Sequence, residues 1–110
     1  MAFDIRYTPL ALDHLRSLTT RNQAIVVDAV DDQLAEQANV STRNRKPLRP
    51  NQLATWELRL GNLRVFYNIE MGTGDATAQI GELPVGVVVV VAVGIKHGNR
   101  LLISGEEFEL

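Results

Sequence analysis

Two arginines stand where they could hold an anion. Arg59 and Arg64 flank Gly61-Asn62, a dipeptide typical of a tight turn between two strands. With a two-residue turn, residues 59 and 64 lie directly opposite each other, where like charges repel. Because the planar guanidinium suits phosphate oxygens, the pair predicts an anion site. In the alternative interpretation, both side chains extend into solvent, or one of them forms a salt bridge with Glu57.

Positive charge is concentrated in one stretch of a chain that is acidic overall. The 110 residues have a formal net charge of -2. From Arg43 to Arg64 the net charge is +5, so the rest of the chain carries -7. This balance argues against a protein whose whole surface binds nucleic acid. A basic stripe on an acidic body can still bind phosphate locally, although a solvated polar loop would show the same clustering.

His97 is the candidate for proton transfer. It follows an apolar segment, next to Lys96 and close to Gly98, and a histidine at a strand end can act as a general acid or base near neutral pH. The alternative is a polar turn residue. His14 is interpreted as a solvated or edge residue of a helix. With these two histidines and no cysteine, we expect no metal site, no disulfide and no cofactor.

The pattern of apolar residues predicts a single α+β domain over residues 1–110. Alternation with period two predicts strands, and apolar residues at helical spacing predict two helices. The segment from 71 to 84, rich in Gly, Thr and Ala, is expected to be a long connection. The predicted elements are a strand at 3–7, helices at 9–18 and 20–39, a basic loop at 41–55, a hairpin at 56–69, a central strand at 85–95 and an optional short strand at 101–103.

These elements are expected to form two layers, with a helical hairpin packed on an antiparallel sheet. The two-residue turn predicts that one face of the 56–69 hairpin receives the helices. That face carries Trp56, Leu58, Leu60, Leu63, Val65 and Tyr67. The helices offer a stripe of Ala11, Leu15, Leu18, Val27, Val30 and Leu34. The valine-rich strand is expected to be covered on both faces.

No membrane segment or secretory signal is predicted. The apolar run at 85–93 is about half the length that a helix needs to cross a bilayer. The first residues lack a basic stretch followed by an apolar block. We therefore expect a cytoplasmic protein with no membrane partner.

Three segments resemble the RelE/ParE superfamily of bacterial toxins. They are Lys46-Pro47-Leu48, residues 56–67 and Val93-Gly94-Ile95-Lys96-His97. The most specific part is Arg64-Val65-Phe66-Tyr67, which looks like the family's Tyr-Arg-(Leu/Val)-x-Tyr strand. The resemblance spans nearly the whole chain and implies the element order β-α-α-β-β-β. It also implies a type II toxin–antitoxin system, with a role such as plasmid stabilization and a cognate antitoxin that wraps the toxin.

The resemblance implies one of two activities. RelE-like members are endoribonucleases that cut mRNA on the ribosome without metal, with the RNA 2'-hydroxyl as nucleophile, whereas ParE-like members inhibit DNA gyrase. Of these two activities, cleavage of mRNA is the one we expect for this chain. Gyrase inhibition is the alternative, together with a catalytically degraded homologue that acts as a protein-binding module.

Site roles are carried over from the family residue by residue. Arg64 matches the arginine that contacts the scissile phosphate, Arg59 falls near a basic residue of the same site, and His97 matches a general acid. Lys46 stands where one branch has a glutamate base, and Glu57 is the other candidate base. Gly98 and Leu102 occupy the positions where cleaving members have a tyrosine or a second arginine. The residues expected to bind RNA are Arg43, Arg45, Arg49, Lys96 and Arg100.

The two classes of function make different geometric predictions. If the protein is an enzyme, the side chains of Arg59, Arg64 and His97 converge on one cleft. If it is a binding module, they point apart.

Overall fold

The computed structural model describes residues 3–71 and 86–109, which form two helices and seven strands. The predicted connection at 71–84 lies outside these residues, apart from Met71. The elements are β1 (Phe3–Tyr7), α1 (Pro9–Arg16), α2 (Thr20–Gln37), β2 (Arg45–Pro47), β3 (Trp56–Leu60), β4 (Leu63–Met71), β5 (Gly86–His97), β6 (Arg100–Ile103) and β7 (Glu106–Phe108).

β5 lies at the centre of one sheet. One of its edges pairs with β4 along most of its length, and the sheet continues through β3 to β2. The other edge pairs with β1 through residues 86–90 and with β6 through residues 95–97, after which β7 follows. All of these pairs are antiparallel except β1 with β5, which is parallel. The predicted α+β class with two layers is confirmed.

Both helices begin at threonine caps. Thr8 Oγ1 accepts the Ala11 N–H at 3.0 Å, as the Thr8-Pro9 pair predicts. Residues 20–23 have the form of a capping box, which predicts Thr20 as the second cap. The cap is instead Thr19, whose Oγ1 accepts the Asn22 N–H at 3.1 Å. A β-region residue with a free hydroxyl is needed at this position, and Thr19 and Thr20 both offer one. The sequence alone does not distinguish them.

The predicted register of the hairpin is confirmed. β3 and β4 pair with Trp56 opposite Tyr67 and Arg59 opposite Arg64. The Trp56 and Tyr67 rings stack at 6.0 Å in the core beneath the helices. The stripe of α2 differs from the prediction, because Val26 is fully buried and Val27 only packs at the edge. Val26, Val30 and Leu34 keep the spacing of four that places one side chain above the next on a helix.

The segment predicted as a loop at 41–55 contains the edge strand β2. Arg45, the first residue of β2, is 5% exposed and lies beside the end of α2. Its Nε donates to the Val40 carbonyl at 3.1 Å, and its Nη2 donates to Gln37 Oε1 at 3.1 Å. These bonds join β2 to the last residue of α2 and to Val40, three residues beyond it. Arg45 is therefore engaged in the fold and is not a surface cation.

His14 is buried, which corrects its interpretation as a solvated residue. β1 and β6 pair with the two ends of the same edge of β5. Within the described residues, positions 91–94 of that edge have no strand partner. α1 covers this gap, and His14 Nδ1 accepts the Val93 N–H at 3.3 Å. Burial lowers the pKa of His14, and the neighbouring Asp13 opposes this effect.

The sheet face away from the helices has a smaller apolar cluster of its own. Its buried members are Ala54, Phe66, Ala92, Leu101 and Ile103. β5 is thus covered on both faces, as its valine-rich sequence predicts.

Candidate anion site

Strand alternation brings charged side chains together on the sheet face opposite the helices. Leu58 and Val65 point into the helical core, so Glu57, Arg59 and Arg64 point to the other face. Lys96 pairs with Leu101, which belongs to the apolar cluster on that same face. The sequence predicts the opposed arginines and includes Lys96 among the RNA-binding residues, and the structure places Lys96 on the same face as the arginines.

Glu57 lies between the two arginines. Its Oε1 is 3.4 Å from Arg64 Nε and its Oε2 is 3.2 Å from Arg59 Nε. The Glu57 and Arg64 side chains are 10% and 12% exposed, whereas Arg59 is 44% exposed. The salt bridge that the sequence offers as an alternative is therefore present, and it involves both arginines.

Arg64 is held by its surroundings. Nη1 donates to the carbonyls of Gly61 at 2.6 Å and Leu63 at 2.9 Å. Burial lowers the pKa of Arg64, while Glu57 raises it and Arg59 lowers it. An arginine stays protonated in proteins despite such shifts, so this is a fixed and partly desolvated positive charge.

A cavity of about 450 Å³ opens beside Arg64. Lys96 provides a second cation in its wall, and Phe108 and Glu109 close one side. Its lining residues are Leu48, Glu57, Arg64, Lys96, Asn99, Leu101, Phe108 and Glu109. The wall thus carries two cations, two carboxylates, an amide and apolar side chains. Glu57 is already paired with both arginines, so the Lys96 side of the wall suits an anionic group attached to a less polar body.

The other predicted site residues lie outside this cavity wall. Arg59 is exposed beside it, and Lys46 is exposed on β2 opposite Glu57. His97 pairs with Arg100 at the end of β5 and is exposed. Because neighbouring side chains on a strand alternate, His97 and Lys96 point to opposite faces of β5. Arg59 and Arg64 lie on one face of the sheet and share Glu57, whereas His97 points to the other face, so the three side chains do not converge on one cleft.

The remaining predicted RNA-binding cations are spread over the surface. Arg43 and Arg49 are exposed in the segments flanking β2. Arg100 forms an ion pair with Glu107 across β6 and β7. Arg45 is the buried residue at the end of α2.

Sequence reasoning missed Asn99, Phe108 and Glu109. They reach the cavity because β5, β6 and β7 form consecutive hairpins. Ser104 and Gly105 both have positive φ at the second turn. A Ser-Gly pair between apolar and acidic residues is a turn signal, and it could have predicted that the C-terminal segment folds back.

Within residues 3–71 and 86–109, no three His, Cys, Asp or Glu side chains are grouped so that they could hold a metal ion. Neither helix of this part of the chain is long and apolar enough to cross a bilayer.

The fold and the hairpin define a class of protein, the RelE-like toxin fold. Among solved structures, one chain of the RelBE2 toxin–antitoxin complex from Mycobacterium tuberculosis superimposes with a TM-score of 0.62 at 26% sequence identity. The match covers 87% of this chain and 100% of that chain. No protein-family model matches the sequence, and neither does any curated protein. The predicted resemblance to RelE-like toxins is confirmed by the structural match.

Proposed function

We propose that the chain is the toxin of a type II toxin–antitoxin system and that it cleaves mRNA on the ribosome. The observation that carries the proposal is the cavity lined by Arg64 and Lys96, on the sheet face that the helices leave open. The match to a chain of a toxin–antitoxin complex supports both the toxin-like role and a cognate antitoxin as partner. The lack of a membrane-spanning helix in the described residues is compatible with the expected cytoplasmic location.

Cleavage without metal needs positive charge at the phosphate and two proton transfers. The 2'-oxygen attacks phosphorus, a new P–O2' bond forms, and the P–O5' bond breaks. Arg64 and Lys96 would stabilise the negative charge that develops on the phosphate oxygens. The products are a 2',3'-cyclic phosphate and a free 5'-hydroxyl.

The cavity supplies groups for the two protons. Glu57 is engaged by both arginines, whereas Glu109 is exposed and forms no ion pair within the described residues. Glu109 is therefore our candidate for the base that accepts the 2'-hydroxyl proton. Lys96 is our candidate for the donor to the 5'-oxygen, in place of His97.

The proposal is tested by mRNA cleavage on programmed ribosomes. Arg64→Ala should lower the rate about a hundredfold, the usual scale for one lost charge-stabilising contact. Arg16→Ala is the matched control, because Arg16 is an exposed helical arginine paired with Asp13. Intact mRNA in the presence of the wild-type protein would contradict the proposal.

Inhibition of DNA gyrase is the second candidate function. It is favoured by the position of His97 outside the cavity, which removes the expected general acid from the phosphate site. Gyrase supercoiling assays run beside the cleavage assay distinguish the two. Blocked supercoiling with intact mRNA would favour gyrase, and no effect in either assay would favour a degraded homologue that acts as a protein-binding module.

A further inference from the structure

Glu57 gives one oxygen to each arginine of the hairpin. Oε1 is next to Arg64 Nε and Oε2 is next to Arg59 Nε, at 3.4 and 3.2 Å. A buried carboxylate in this position offsets the repulsion between the two opposed guanidiniums. Both oxygens are engaged, so proton abstraction by Glu57 would break the ion pairs that it forms.

The bonds of Arg64 leave one nitrogen for a ligand. Nε faces Glu57, and Nη1 donates to two backbone carbonyls of the β3–β4 turn region. Nη2 has no hydrogen-bond partner within the described residues. Because the guanidinium is planar and rigid, fixing two of its nitrogens also fixes the direction of the third.

We propose that Glu57 is a positioning residue that holds Arg64 so that Nη2 alone is presented to the anion in the cavity. This inference rests on the proposed function and deepens it. The two parallel bonds of an arginine–carboxylate fork need two free nitrogens on one edge of the guanidinium. Arg64 lacks them, so a planar carboxylate cannot form this fork. We therefore expect the site to prefer a tetrahedral phosphodiester, with one oxygen on Nη2 and another on the Lys96 ammonium.

The side-chain N–H signals of arginine in a ¹H–¹⁵N NMR spectrum test the positioning directly. In the wild-type protein, Arg64 Nε–H should give a resolved signal that exchanges slowly with water and is lost in Arg64→Lys. In Glu57→Gln that signal should exchange at least tenfold faster, because the carboxylate that forms an ion pair with Nε is replaced by a neutral amide. Asp13→Asn is the matched control, since Asp13 pairs with exposed Arg16 and should leave the Arg64 signal unchanged.

Two further measurements test the proposal even if the Glu57→Gln protein does not fold. They are the spectrum of the wild-type protein and that of a second variant. Glu57→Asp retains the charge but is one methylene shorter, and it should speed exchange by a smaller factor. The absence of a resolved, slowly exchanging Arg64 Nε–H in the wild type would overturn the proposal. So would an unchanged Arg64 signal in a folded Glu57→Gln protein.

Ligand selectivity is tested with two monoanions of equal charge, dimethyl phosphate and acetate. Dimethyl phosphate should shift the Arg64 signals at concentrations at least tenfold lower than acetate does. Equal affinity for the two anions would overturn the phosphodiester assignment.

Ribosomal cleavage separates this inference from the proposed function. Glu57→Gln should lower kcat about tenfold and leave KM nearly unchanged, since misplacing one charge affects the transition state more than ground-state binding. If Arg64 is fixed by Glu57 and selects dimethyl phosphate, but wild-type protein leaves mRNA intact, the proposed function fails and the positioning inference stands. If mRNA is cleaved and Glu57→Gln leaves both the Arg64 signal and kcat unchanged, the positioning inference fails alone.

Discussion

At the scale of single residues, neighbouring positions on one strand have different environments. Lys96 lines the cavity with Arg64, whereas His97 points to the other face of β5. The sequence singles out His97 because histidine is a common general acid or base in proteins. The side chain determines whether a residue can transfer a proton. The face of the sheet to which that side chain points depends on its place in the alternation along the strand, and only one face carries the cavity.

The opposite orientations of Lys96 and His97 predict that their substitutions have different effects. Lys96→Ala should lower the rate of mRNA cleavage at least tenfold, because it removes a cation from the cavity. His97→Ala should change the rate by less than about twofold, because its side chain lies on the other face. Single-turnover cleavage on programmed ribosomes provides the measurement. The reverse order of effects would restore His97 as the general acid.

His14 predicts a dependence of stability on pH. Burial lowers its pKa below the unfolded value of about 6.5, so protonation favours the unfolded state. Its stabilising contribution is complete above about pH 6.5 and is lost as the pH falls below that value towards the folded pKa. His14→Gln keeps an acceptor for the Val93 N–H but does not titrate. Thermal unfolding should therefore show a smaller loss of Tm for His14→Gln than for wild type between neutral and mildly acidic pH. Equal losses would contradict this role.

At the scale of elements, two side chains attach the end of α2 to the sheet. Tyr67 donates its hydroxyl hydrogen to the Ala38 carbonyl at 2.8 Å, and Arg45 binds acceptors of the same helix end. Burial raises the pKa of Tyr67, so its hydroxyl stays protonated and remains a donor at neutral pH. The helix pair is thereby fixed on β4, the strand that also carries Arg64.

Two tyrosines provide a matched test of this attachment. Tyr67→Phe should lower the free energy of unfolding by about 1–2 kcal/mol, because the buried carbonyl loses its donor. The hydroxyl of Tyr7 is also buried but has no hydrogen-bond partner within the described residues, and burial raises its pKa to about 12. Tyr7→Phe should therefore leave stability unchanged or increase it. Urea unfolding of both variants measures the difference, and equal destabilisation would contradict the assignment.

The sequence predicts local features of this fold better than distant ones. The hairpin register follows from a turn dipeptide and an alternation that agree within a dozen residues. The burial of His14 depends on a gap between β1 and β6, which lie far apart in the sequence. Likewise, Arg45 is buried because the end of α2 lies beside it in the fold. The clustering of positive charge in the sequence does not predict the position of that helix end.

The same limit applies to the candidate site. Arg59, Glu57 and Arg64 are predictable because one hairpin carries all three. Lys96 reaches them through the pairing of β4 with β5, and Glu109 reaches them only through two further hairpins. Residues brought together by several strand pairings cannot be grouped by their spacing along the chain.

At the scale of the whole molecule, a small basic site lies on an acidic protein. The net charge of -2 gives little general attraction to RNA, so the proposed binding of RNA would depend on the few cations at the cavity. The antitoxin and the ribosome are the partners expected to compete for that surface.

The charge distribution predicts a shallow salt dependence. Because Arg64 and Lys96 are proposed to share one phosphate of a single strand, log affinity should fall with log salt concentration at a slope of about -0.7. Fluorescence anisotropy with a 2'-O-methylated oligonucleotide, which cannot be cleaved through the 2'-oxygen, measures this slope. A slope of about -3 or steeper would show that further arginines such as Arg43, Arg49 and Arg59 also contact the strand.

The parallel pairing of β1 with β5 has a consequence for the order of folding. Phe3 lies opposite Gly86, so the centre of the sheet forms only when distant parts of the chain meet. Closing so long a loop is entropically costly, and contacts of this kind slow folding. The helices and the β3–β4 hairpin can form earlier from local contacts, but they have no central strand to pack against. Until β5 docks, its valine side chains are exposed and prone to aggregation. Lys96 reaches the cavity through the pairing of β5 with β4, so we expect the candidate anion site to be complete only after β5 has docked.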